Sequence, residues 1–279
     1  MRLIQTLSSC LCTGIIALFT ACSQAPQSPI DSVNPFIGTG FHGHTYPGAT
    51  APYGAVQLSP DTRKGNWDAC SGYHYSDSII SSFSHSHLSG TGIGDLQDIR
   101  LLPVTTRPQV GEKAIDFITK GYTKFSHANE TAEPGYYSVT FDNGIKTELT
   151  VTSRCGMHSY QYPTNSVYGL TLDLTTARNW DRTVITSIKK INNRTIQGYR
   201  KSTGWAKEHN VYFFMEFSQD VDVWAGNDTL KLLEENKIDI GLIGKPDNTK
   251  NIQFDYLEEI EDIFVATKDY LRNLKTRGV

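Results

Sequence analysis

The chain has 279 residues, with 26 Lys+Arg against 29 Asp+Glu and a formal net charge of −3, so it lacks the basic balance of a nucleic-acid-binding protein. At 38% hydrophobic, 11% aromatic and 20% charged it is globular rather than disordered or fibrous, and its length holds one or two domains.

Met1 and Arg2 give a short positive start, and Leu11 to Phe19 form an apolar run of signal-peptide length, too short to span a bilayer. The run ends in Phe19-Thr20-Ala21-Cys22, where small residues before a cysteine resemble the bacterial lipoprotein box. This predicts a signal over 1–21, acylation of Cys22 and a polar tether over 22–32. An ordinary secretory cleavage that leaves Cys22 unmodified is the alternative. The lipoprotein address sends the chain to a bacterial cell envelope, in the periplasm or at the outer membrane, where it touches the membrane through its lipid alone. Cys70 and Cys155 are then left to pair in an oxidising compartment or to stand as buried free thiols.

From Val33 to Pro103 the chain is dense in Gly, His, Ser, Thr, Trp and Tyr and poor in long aliphatic runs, a composition suited to loops that line a polar pocket. The first cluster is Asn34-Pro-Phe-Ile-Gly-Thr-Gly-Phe-His-Gly-His44, and the second is Trp67-Asp-Ala-Cys-Ser-Gly-Tyr-His-Tyr75. The third is Phe83-Ser-His-Ser-His-Leu-Ser-Gly-Thr-Gly92. His85 and His87 are two apart, so on a strand they share a face and could share a metal; hydrogen-bonded pocket histidines are the commoner outcome. His42 and His44 repeat the spacing in a glycine-rich loop. Neither Gly-rich segment has the Lys-Ser/Thr of a phosphate loop. Trp67 beside Asp68 suits a sugar, since an indole covers the C–H face of a pyranose while a carboxylate accepts hydrogen bonds from its hydroxyls. Core packing for Trp67 and a turn cap for Asp68 are the plain alternative.

Tyr136 to Phe141, then Asp142-Asn143-Gly144, then Ile145 to Val151 read as a hairpin with period-two alternation and a turn of positive φ. Further strands are expected at Met157 to Tyr162, Val167 to Leu174, Arg182 to Ile191, Thr195 to Arg200 and Asn210 to Phe217. The fold class is mainly β, an antiparallel sandwich. Beyond Gln219 the pattern changes, and Asp255 to Lys275 carries apolar residues at helical spacing. The predicted organisation is a β-sandwich over 33–218 and a divergent tail over 219–279 with an amphipathic C-terminal helix.

Taken together, these clusters resemble the N-terminal region of glycoside hydrolase family 92, bacterial exo-acting α-mannosidases. The resemblance is carried by Val33 to Thr39, Tyr46 to Thr50, Pro52 to Thr62, Trp67 to Tyr73 and Phe83 to Gly92, and continues more loosely to about Phe217. It implies an N-terminal β-sandwich joined to a larger helical barrel, and calcium-dependent inverting hydrolysis of α-mannosides. In that mechanism one carboxyl protonates the leaving oxygen and another activates water. The family's catalytic carboxyls and most of its calcium contacts belong to the barrel, which this chain is not expected to contain. The resemblance therefore assigns no catalytic residue and no metal ligand here, and Asp68, Asp95 and Asp98 match none of them. It implies a sugar contact at Trp67, with Asp68 beside it, and pocket lining at His85 and His87. The implied partners are an α-mannoside glycan and a separate chain carrying the barrel. A lipid-anchored glycan-binding module without catalysis is the second reading.

Overall fold

The computed structural model describes residues 28–62, 66–177, 180–225 and 240–244. The predicted signal, the acylation site Cys22 and the predicted helix over 255–275 lie outside them. Among the described residues no helix is long and apolar enough to cross a membrane.

The described chain is mainly β, as its short runs of β-branched and aromatic residues predict, and every paired strand is antiparallel. The predicted polar loop region carries five short strands: β1 (Ala49–Thr50), β2 (Gln57–Asp61), β3 (Ile79–Ile80), β4 (Ser82–Ser84) and β5 (Arg100–Val104). A helix α1 (Ala114–Lys120) and β6 (Thr123–Glu133) follow, then β7 (Tyr136–Phe141), β8 (Lys146–Val151), β9 (Gly156–Gln161) and β10 (Gly169–Asp173). The chain continues through β11 (Arg182–Asn192), β12 (Thr195–Thr203), β13 (His209–Glu216), β14 (Val221–Ala225) and β15 (Ile240–Gly244). They form a seven-stranded sheet in the order β1-β2-β4-β5-β10-β15-β14, a five-stranded sheet β3-β6-β7-β8-β9 and a three-stranded sheet β11-β12-β13.

The long sheet is covered on both faces at its centre. Leu102 belongs to a core with Leu58, Phe83, Tyr137, Phe141 and Leu149, whereas its neighbour Leu101 packs with Leu170, Leu172, Ile188 and Ile196. Adjacent residues of a strand face opposite sides, so the five-stranded sheet covers one face and the three-stranded sheet the other. This explains why β5 and β10 are buried at every position instead of alternating.

The predicted hairpin forms as β7 and β8. Tyr137, Val139, Phe141, Ile145, Thr147 and Leu149 are buried, which is the alternation read from the sequence. Its turn differs from the tight Asn-Gly pair. The N–H of Gly144 donates to the carbonyl of Phe141 (2.9 Å), and Gly144 alone takes a positive φ, of 86°. A wider turn closed by a left-handed glycine thus joins the strands.

The sandwich runs past its predicted end at 218. β14 and β15 pair with each other, and β15 pairs with β10, while Val221 and Val223 are buried and Val223 joins the second core. Residues 221–225 and 240–244 therefore contribute strands to the long sheet. Of the cysteines among the described residues, Cys70 is buried and Cys155 is exposed.

Candidate functional site

Three sequence clusters converge on Trp67. A single 3₁₀ turn, Trp67–Ala69, leaves Trp67 50% exposed while burying Ala69 and Cys70, so the turn is anchored from below and presents Trp67 and Asp68. The loop 38–44 reaches them from one side. His42 Nδ1–H donates to Asp68 Oδ1 at 2.7 Å, and the His44 ring meets the indole edge-on with centroids 4.3 Å apart. A Cβ on Gly43 would lie 2.1 Å from the Gly38 carbonyl oxygen, so the loop closes only with glycine there. Phe41 and His44 take positive φ of 54° and 53°, a conformation unusual for such side chains and held here by the loop around them.

From the other side comes the segment 90–95. Gly90 N–H donates to the His44 carbonyl at 2.7 Å, and a Cβ on Gly92 would sit 2.5 Å from Trp67 Nε1. The hydrogen bond from His42 holds the Asp68 carboxyl below the usual carboxylate range, so it is ionised and accepting. The buried Nε2 of His44 has no hydrogen-bond partner among the described residues and lies 3.8 Å from Asp68 Oδ1. The site thus offers a half-exposed indole, an ionised carboxylate and an imidazole nitrogen without a partner, the inventory for stacking on and hydrogen-bonding a polyhydroxylated ring.

Two residues missed by the sequence reading join this region. Trp180 N–H donates to the Gly94 carbonyl at 2.8 Å, and Trp205 N–H donates to Asp95 Oδ2 at 2.8 Å. Both indoles are exposed, at 55% and 71%. Three of the chain's four tryptophans thus meet one segment, residues 92–95: Trp67 by close approach to Gly92, Trp180 and Trp205 by backbone hydrogen bonds. The only available signal was Trp180-Asp181, which repeats the Trp-Asp pair of the second cluster.

His85 and His87 are not brought to this site, and they do not share a face. β4 ends at Ser84, so strand alternation does not extend to them. His85 Nδ1–H donates to the Ile99 carbonyl at 2.5 Å, which leaves its Nε2 to accept from His158 Nε2–H (3.1 Å), while Tyr160 O–H donates to His158 Nδ1 (2.8 Å). His87 turns instead to Ser84. Ser84 Oγ–H donates to Asp61 Oδ1 (2.9 Å) and accepts from His87 Nε2 (2.9 Å). Burial pushes His85 down to about 4 and His87 to about 3, so both are neutral at pH 7. They are internal hydrogen-bonding groups.

The remaining acids are also engaged. Asp98 accepts from Arg200 (2.5 Å), His209 (2.9 Å) and Ser86 (2.8 Å), and Asp181 and Asp173 pair with Arg200 and Arg100. Among the described residues no group of three or more His, Cys, Asp or Glu side chains is placed to share a metal ion. A hollow of about 490 Å³ lined by Arg107, Asn165, Tyr168, Gln219 and Asp220 shares no residue with the tryptophan site.

The fold and this site define a glycosidase-family domain. Residues 32–254 match the glycosyl hydrolase family 92 N-terminal domain, and the chain belongs to that family. Among solved structures it is similar to a family GH92 α-mannosidase from Bacteroides thetaiotaomicron in complex with mannoimidazole. The TM-score is 0.66 at 32% identity, over 77% of this chain and 30% of that one. It is also similar to a GH92 inverting mannosidase from the same organism, at TM-score 0.59 and 26% identity, over 79% of this chain and 30% of that one. An uncharacterized secreted glycosidase from Arthroderma benhamiae is 30% identical over 167 residues, 57% of this chain and 20% of the relative. The chain thus spans under a third of the length of these relatives. The family match also runs past residue 218, in keeping with β14 and β15.

Proposed function

We propose that this domain supplies the sugar-contacting face of an enzyme that hydrolyses α-mannosides with inversion. Trp67 covers the C–H face of a mannose and Asp68 Oδ2 accepts from its hydroxyls. The observation that carries the reading is the exposed Trp67-Asp68 pair, braced by His42, His44 and Gly92, in a family 92 domain. Trp180 and Trp205, both exposed and bonded through their backbone N–H groups to Gly94 and Asp95, are candidates for further sugar contact. His85 and His87 make internal hydrogen bonds and do not touch the sugar in this reading.

The acid, the base and the calcium ligands of the reaction lie outside the described residues in this reading. Inverting hydrolysis needs two free carboxyls about 6.5–9.5 Å apart across a bound sugar. Asp61, Asp98, Asp173 and Asp181 are each held by internal donors instead. The 279-residue chain is therefore expected to show no turnover of an aryl α-mannoside. Turnover that a calcium chelator abolishes would overturn this. The proposal includes export and acylation of Cys22, in line with a relative described as secreted. Mass spectrometry of the membrane-extracted protein is expected to find a diacylglyceryl group on Cys22, and an unmodified residue there would remove the anchor.

A further inference from the structure

The loop 38–44 has a second side. Its His42 and His44 face Trp67 and Asp68, whereas Gly40 lines a separate hollow of about 400 Å³ with Asn34, Phe36, Tyr75, His127 and Glu130. The two sides are joined through backbone, because Tyr75 N–H donates to the Thr39 carbonyl at 2.9 Å.

A strand irregularity builds the floor. On β6, Phe125 faces Phe141 of β7, but Glu130 faces Val139, so extra residues bulge out between them. The bulge brings His127 and Glu130 together. The Glu130 side chain is 1% exposed, and its carboxylate accepts from Tyr73 O–H (2.7 Å), Tyr137 O–H (2.7 Å) and His127 Nδ1–H (2.5 Å). Burial and the Glu130 charge push both tyrosines far above their ordinary range, so they remain donors. His127 is thereby fixed in one orientation with Nδ1 bound inward. Its Nε2 has no partner among the described residues, on a ring that remains 29% exposed.

Above this floor the rings form a row. Tyr75 stacks on His127 with centroids 4.1 Å apart and an interplanar angle of 12°, and Phe36 meets Tyr75 edge-on at 6.0 Å. The Glu130 carboxylate satisfies the hydroxyls of two core tyrosines and, through its third donor, holds one imidazole against an open, aromatic-lined hollow.

We propose that this hollow is a second carbohydrate site that takes one neutral pyranose, with Phe36 and Tyr75 against its C–H bonds and His127 Nε2 hydrogen-bonded to a hydroxyl. Charge argues for a neutral ligand. The Glu130 carboxylate spends its acceptors on three donors behind the ring and so offers no open oxygen to coordinate a cation, while its negative charge disfavours an anion. A hydroxyl both donates and accepts, so it serves Nε2 in either protonation state of the imidazole. The volume falls in the range of small-ligand sites. The inference does not depend on Trp67 contacting sugar.

The test uses the full chain labelled with ¹⁵N-histidine, the His127 resonance being assigned from the spectrum of His127→Gln. Titration with methyl α-mannoside, methyl α-glucoside and methyl β-galactoside is expected to shift His127 Nε2 saturably with at least one of them and to leave His85 and His158 unmoved. Tyr75→Ala should weaken that binding about tenfold or more, whereas Tyr75→Phe and Trp67→Ala should leave it within about twofold. No shift of His127 with any of the three sugars overturns the proposal, and because this reading uses the wild-type chain, a misfolded Tyr75→Ala does not block it. A shift with choline or sulfate alone overturns the neutral-ligand assignment. Loss of the His127 shift in folded Trp67→Ala would show one site rather than two.

Discussion

At the residue scale, the charged centre of the described structure is Arg200, which sequence reading passed over. It is 1% exposed and donates to Asp98, Asp181, Thr183 and the Leu174 carbonyl. Asp98 lies between Gln97 and Ile99, which take positive φ of 62° and 52°. The ion pairs thus hold in place a strained segment that also carries Asp95 and Trp205. Replacing Asp98 by Ala leaves the guanidinium buried without part of its counter-charge, and a loss of about 3–5 kcal/mol is expected in urea unfolding. A loss below about 1 kcal/mol would show that Asp181 alone satisfies Arg200. Trp67-Asp68 was legible because both residues sit in one short motif. Arg200 was not, because its partners are up to 102 positions away and no local pattern joins them. His85 and His87 fell between these cases: their burial partners include His158, 73 positions from His85, and the strand that would have aligned them ends at Ser84, before either histidine.

At the element scale, the hairpin β7–β8 and the strands β9 to β13 follow the expected runs closely, since each alternates or is rich in β-branched and aromatic residues. β1 to β5 were hidden because they are two to five residues long and several are buried on both faces, which removes the alternation that marks a strand. β14 and β15 were hidden by their distance from β10, their ladder partner through β15. They matter to stability, since β15 caps the edge of β10 and β14 places Val221 and Val223 in the interior. A chain ending at Phe217 should therefore expose a hydrophobic edge and aggregate, while one ending at residue 254, where the family match stops, should melt like the full chain. Equal solubility and melting temperature for the two truncations would mean that β14 and β15 add nothing to the sheet's stability.

For the whole molecule, acid stability follows from its buried histidines. His85 and His87 are neutral in the folded chain, with values near 4 and 3 set first by burial, and burial lowers His158 well below its ordinary range as well. In the unfolded chain they bind protons near pH 6.5, so the unfolded state gains protons first and stability falls as pH drops from about 6.5 to 4. Each contributes a slope of about 1.4 kcal/mol per pH unit within that window. His209 acts in the opposite sense, because the hydrogen bond to Asp98 raises it: its contribution is present below its unfolded value and fades as pH rises. Asp98 would be raised by burial, but His209, Arg200 and Ser86 outweigh this and hold it at about 2, so its contribution fades only below about pH 4. Three histidines outweigh one, and the urea midpoint should be clearly lower at pH 4.5 than at pH 7; equal midpoints would refute the buried neutral assignments.

The central claim is that the Trp67 face meets an α-mannoside. Its most direct measurement is the indole region of a ¹⁵N–¹H spectrum of the full chain during titration with methyl α-mannoside. The four tryptophan side chains give four resolvable signals, assigned by single Trp→Phe variants. The account predicts a saturable shift of the Trp67 indole signal and none for Trp224, whose ring packs edge-on against Phe117 with centroids 5.9 Å apart. A titration in which the Trp67 signal never moves, or moves only together with Trp224, would contradict it.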